Sequence, residues 1–107
     1  MPSDYYYKLY HYSVTCLSDD LAVVHCLRAL CQFAEKAIRK QIGWGGSGTT
    51  EWRIAGNRIT LRFTKAEYRA EFIRNAERLL PPESWSVLQM NDNDPAQRQR
   101  AKSSPIV

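Results

Sequence analysis

Few residues in this chain are of a type that does chemistry. His11 and His25 are the only histidines, and Cys16, Cys26 and Cys31 the only cysteines. A nucleophile needs a base beside it and a third group to orient that base. Neither histidine has a sequence neighbour that would orient it, and no Cys-His, Ser-His or paired-carboxylate arrangement with a defined role appears. The cysteine count is odd and the spacing is not CxxC; Cys26 and Cys31, five apart on a helical segment, do not stand side by side. They read as small buried hydrophobes in a reducing compartment, not as metal or redox ligands. Glu67, Glu71 and Glu77 alternate with Arg69, Arg74 and Arg78, the pattern of a solvated ion-pair face. Gly43-Trp44-Gly45-Gly46-Ser47-Gly48 is glycine-rich, but it follows a helix, precedes a strand and lacks the Lys-Ser/Thr of a phosphate loop. Gly43 reads as a helix C-cap and the rest as a flexible connection carrying Trp44. No catalytic residue, metal or cofactor is expected, and the chain is not expected to be an enzyme.

The elements that would position any binding residues are easier to read. Tyr5–Cys16 has strand composition, with Tyr10, Tyr12, Val14 and Cys16 on the inward face and Tyr7 and His11 on the other. Twelve residues is long for a strand, which suggests a protruding start or a bulge. Ser18-Asp19-Asp20 opens a helix reaching about Ile42, with Ser18 as N-cap. Its apolar side (Val23, Val24, Cys26, Leu27, Leu30, Cys31, Phe33, Ala34, Ala37, Ile38) is wider than one sheet contact needs. The surplus edge, Phe33, Cys26 and Ala37, is expected on a second helix or on a partner subunit. Arg28, Gln32, Glu35, Lys36, Arg39 and Lys40 form the polar side.

Thr50–Ala55, Gly56-Asn57 and Arg58–Phe63 read as a two-residue β-hairpin, because Gly and Asn tolerate the positive φ of primed turns. That register places Trp52, Ile54, Ile59, Leu61 and Phe63 on a buried face. It places Glu51, Arg53, Arg58, Thr60 and Arg62 on an open one, with Glu51 opposite Arg62. Thr64-Lys65-Ala66-Glu67 matches a capping box. The helix it opens carries the stripe Phe72, Ile73, Ala76, Leu79, Leu80 and ends at Pro81-Pro82. Ser84–Met90 reads as a last strand. From Asn91 the pattern stops, and 91–107 is expected to be a disordered polar tail after a single domain spanning 1–90.

This order, strand-helix-strand-strand-helix-strand, resembles the split βαβ arrangement of the ferredoxin-like superfold: α+β, an antiparallel sheet with two helices on one face. The resemblance rests on element order alone, and the superfold hosts many unrelated functions. At 107 residues the chain fits one domain, and 44% hydrophobic content suffices for a core. The net charge of +4 is spread evenly: five basic against four acidic groups in 1–50, seven against five in 51–90, three against two in 91–107. No concentrated basic patch is visible. No signal peptide or membrane-spanning apolar run is present, so a cytoplasmic protein is expected.

Two binding functions fit. The first is a protein-binding module, an adaptor or a small inhibitor of a larger machine. Anti-CRISPR proteins carried by mobile genetic elements are an example of such compact modules. Its contact residues would be Trp44, Tyr5 and Tyr6, since aromatics and Arg dominate interface hot spots. The alternative is RNA or single-stranded DNA on the open sheet face, through Arg53, Arg58, Thr60, Arg62, Tyr7 and His11. The RNA-recognition motif is similar in topology, but its third-strand aromatics are replaced here by Arg58, Thr60 and Arg62. Another protein is the expected partner, with nucleic acid second, no membrane, and a monomer or homodimer.

Overall fold

The computed structural model describes residues 8–35 and 49–96. Among them the order is β1 (Tyr12–Leu17), α1 (Leu21–Glu35), α2 (Thr49–Ile54), β2 (Arg58–Phe63), α3 (Ala66–Leu79), a 3₁₀ turn (Pro82–Ser84) and β3 (Ser86–Asn91). The fold is α+β. Its three strands lie in the order β2-β1-β3, both pairs antiparallel.

The expected hairpin is not formed. Thr49–Ile54 is a short helix instead of a strand, so among the described residues the sheet has three strands and the full split βαβ pattern is not reproduced. The positive-φ pair is present, with Gly56 at φ 73° and Asn57 at φ 65°. Here it ends a helix. The Asn57 amide donates to the Trp52 carbonyl at 2.9 Å and the Gly56 amide to that of Arg53 at 3.2 Å. These are the two bonds of a Schellman cap. A left-handed Gly-Asn serves a primed turn and a helix C-cap equally well, so the local signal cannot tell them apart. Helix α2 also has Glu51 in its first turn and Arg53 in its last, matching the helix dipole.

The first strand is shorter than its composition suggests. It begins at Tyr12, and Lys8 and Leu9 lie in a helical turn. Val14 and Cys16 point inward as the alternation requires, and Tyr12 packs against the core partly buried. Across from them on β2 stand Leu61, Ile59 and Phe63. Helices α1 and α3 cover this face with Val24, Leu27, Cys31, Phe72 and Ala76, all buried. The Phe63 and Phe72 rings meet at 5.3 Å with a 42° tilt. Trp52 reaches the same core from α2.

Several helix expectations need correction. The side-chain cap of α1 is Asp20, whose Oδ1 accepts the Ala22 amide at 2.9 Å; Ser18 acts one step earlier. Cys26 and Phe33 are exposed, Phe33 at 64%, so the surplus edge of α1 does not pack on α3. Ala37 and the rest of the expected helix to Ile42 lie outside the described residues. Arg28 and Glu35, assigned to the polar side, are buried. Glu35 takes over the capping box: its carboxylate accepts the Thr64 amide at 2.5 Å and the Thr64 hydroxyl at 3.1 Å. Thr64 therefore caps nothing, and the cap position of α3 falls to Lys65 without a side-chain bond. A buried carboxylate from another helix outcompetes the local partner Glu67 for the Thr64 side of the box. Ile54, expected inside, is 79% exposed, because a helix turns it away from the face that Trp52 occupies.

Candidate functional site

The end of β1 is a junction built on Ser18, which is 3% exposed. Its hydroxyl donates to the Ser84 carbonyl at 2.8 Å and accepts the Asp20 amide at 3.2 Å. Its backbone amide donates to the Asn57 carbonyl at 3.1 Å, and its carbonyl accepts the Trp52 indole N–H at 2.8 Å. One residue thus ties β1 to α1, α2, the Schellman turn and the 3₁₀ turn. A shallow cleft of about 420 Å³ opens beside it, lined by Leu17, Asn57, Glu83, Trp85 and others, none of them His, Cys, Lys or Arg.

The sheet face turned away from the helices is polar. Three rungs cross it: Arg62–Ser13–Asn91, Thr60–Thr15–Gln89 and Arg58–Leu17–Ser86. Thr15 and Thr60 bond each other through their hydroxyls at 2.9 Å. Arg58, Thr60 and Arg62 therefore share this face as alternation requires. Arg53 does not join them; it sits on α2 with its guanidinium 4.8 Å from the Trp52 ring centroid. Arg62 does not meet Glu51. Its Nε donates to the Asp94 carbonyl at 2.8 Å and its Nη2 to the Asp94 carboxylate at 3.1 Å.

Asp94 belongs to a segment that follows β3 and runs back along the start of β1. The Asp94 and Ala96 amides donate to the carbonyls of His11 and Tyr10 at 2.8 and 2.9 Å. Arg69 of α3 holds the same segment, donating to the Ser13 and Asn91 carbonyls and, at 2.6 Å, to Asp92. His11 faces this segment too, its Nδ1 2.7 Å from the Asp92 carbonyl. Of the tail, residues 91–96 are described and 97–107 are not. Tyr5, Tyr6, Tyr7 and Trp44 also lie outside the described residues.

Burial sets the ionisation of the enclosed groups. Burial pushes the Cys16 thiol up to about 12. It raises Cys31 as well, with Glu35 and Cys16 nearby adding to the effect, and thiols held protonated in this way are inert. Burial lowers Arg28, opposed by the charge of Glu51. Burial raises Glu35, opposed by its bonds from Thr64 and by Lys65. Among the described residues no group of three or more His, Cys, Asp or Glu is placed to hold a metal ion, and no helix is long and apolar enough to cross a membrane.

A surface that residue-type reasoning passed over is β3. All six of its residues are exposed, including Val87, Leu88 and Met90. It pairs with β1 on one side, and no strand among the described residues pairs with the other. Helix α3 contacts β1 and β2 and α1 contacts β2, and on the helix side of β3 Val87 and Met90 stay 38% and 55% exposed. The signal was in the sequence: 84–91 contains no charged residue, whereas β2 carries Arg58 and Arg62. An uncharged apolar edge is what most proteins blunt with Lys, Pro or a cover.

Compared with known proteins, the chain matches no protein-family model, no curated protein and no solved structure.

Proposed function

We propose that this chain is a non-catalytic protein-binding module, an adaptor or inhibitor that works by accepting a strand at the edge of its sheet. The carrying observation is β3 itself: six consecutive exposed, uncharged residues with three large apolar side chains and an unpaired edge among the described residues. In strand addition the partner's backbone completes the ladder, and alternate side chains supply specificity. The basic sheet face supports the nucleic-acid alternative less well, since Arg62 is engaged by Asp94 and Arg53 stands on α2 over Trp52.

The test is affinity capture from lysate, with and without nuclease, at low and moderate salt, comparing the wild type with Leu88→Lys. A protein recovered after nuclease treatment by the wild type and lost by the variant is the expected result. Nucleic acid that washes off with salt, equally for both proteins, would replace this reading with one centred on Arg58 and Arg62.

A further inference from the structure

Resting on that strand-addition reading, we infer that in the protein by itself the strand accepted by β3 is β3 of a second copy. The pairing is antiparallel about a two-fold axis and gives a six-stranded sheet, β2-β1-β3-β3′-β1′-β2′. The edge of β3 is self-complementary. A two-fold perpendicular to the sheet keeps the helices of both copies on one side, and it requires facing residues to lie on the same face. In a regular strand Val87 and Met90, three apart, would lie on opposite faces. Here Leu88 is an extra residue. The ladder with β1 shifts between Thr15 and Cys16, so that Val87 faces Cys16 and Met90 faces Val14. Both therefore lie on the helix side. Ser86 and Asn91 both lie on the polar side, opposite Leu17 and Ser13.

One register then matches the outer positions. Val87 faces Met90 of the second copy on the helix side, Ser86 faces its Asn91 on the polar side, and Leu88 and Gln89 sit at the dyad. On the outer rungs apolar meets apolar and polar meets polar, at the dyad Leu88 faces Gln89 of the second copy, and no charge meets its own image. On the other edge the register centred on Thr60 sets Arg58 of β2 against Arg62 of the second copy.

Sedimentation of the wild type should give twice the mass of the chain at tens of micromolar. Each copy carries a net charge of +4, so added salt should strengthen the association by screening the mutual repulsion. Val87→Glu alone and Met90→Lys alone should each be monomeric, with dimer dissociation constants raised at least tenfold and unchanged circular dichroism. Mixed one to one, they should form a heterodimer, since the carboxylate introduced into one chain then faces the ammonium introduced into the other. A wild type that is monomeric at millimolar concentration would overturn the inference. So would a dimer that survives both substitutions, or a mixture that stays monomeric. These failures are distinct from failure of the strand-addition reading. That reading stands if monomeric wild type captures a lysate protein that Val87→Glu loses, and it falls if the two capture alike.

Discussion

Ser18 carries more of the fold than its size suggests. Its hydroxyl, amide and carbonyl each bond a different segment, and the residue is almost fully enclosed. Removing the hydroxyl in Ser18→Ala strands the Ser84 carbonyl and the Asp20 amide, and should lower stability by about 1–3 kcal/mol. Urea denaturation followed by tryptophan fluorescence will measure the loss. A change under half that size would mean that water replaces both bonds. Glu35 is the other buried polar residue with a defined task, and its effect depends on pH. Burial raises its folded-state pKa above the ordinary 4.5. The folded state therefore binds the proton more tightly than the unfolded state. The contribution of Glu35 to stability is then complete below pH 4.5 and is lost as pH rises through the folded value. Glu35→Gln cannot titrate. The wild type should thus lose stability relative to Glu35→Gln as pH rises above 4.5, seen as a falling difference in unfolding free energy. A difference that rises with pH would show that the Thr64 bonds outweigh burial.

At the level of elements, the informative segments are α2 with its cap and the stretch after β3. A Cβ at Gly56 would meet only the Arg58 guanidinium, at an ordinary van der Waals distance of 3.7 Å. The cost of Gly56→Ala is therefore one of backbone strain at φ 73°, about 1–2 kcal/mol, and not of collision. Thermal denaturation should show it, and Gly56→Asn should recover part of the loss, since Asn tolerates the left-handed region. The segment 92–96 is tied to β1 by two amide bonds and to the body by Arg62 and Arg69. Replacing both arginines by Ala should accelerate hydrogen exchange at the Asp94 and Ala96 amides at least tenfold, while the amides of β1 that face β2 stay protected. Equal acceleration in β1 would mean that the segment and the sheet open as one unit.

For the whole molecule, the uneven treatment of the two sheet edges is the organising feature. One edge has arginines on its strand, and the other presents an uncharged apolar strand. The arrangement predicts that β3 governs colloidal behaviour. Gln89→Lys should raise the concentration at which the protein precipitates and, measured at concentrations low enough to keep the protein monomeric, leave its unfolding free energy within about 0.5 kcal/mol, because exposed edge positions tolerate charge. Static light scattering and urea melts on the same samples will separate the two effects. A lysine that unfolds the protein would show β3 to be packed more tightly than its exposure indicates.

What the sequence by itself determined follows from short-range rules. The alternation of Ile59, Leu61 and Phe63 against Arg58, Thr60 and Arg62 specifies β2 and both of its faces. The periodicity of Phe72, Ile73 and Ala76 specifies the buried stripe of α3, and the Pro81-Pro82 stop marks its end. The inward set Val14 and Cys16 is equally local. What only the tertiary structure decided are the choices that local signals leave degenerate. Gly56-Asn57 suits a hairpin turn or a helix cap, and α2 forms where Trp52 can enter the core and bond Ser18. Thr64 could have closed its own capping box, but Glu35 approaches from α1 and takes the amide. The exposure of β3 is also a long-range outcome. An uncharged strand reads as core until the packing leaves all six of its residues exposed and its outer edge unpaired among the described residues.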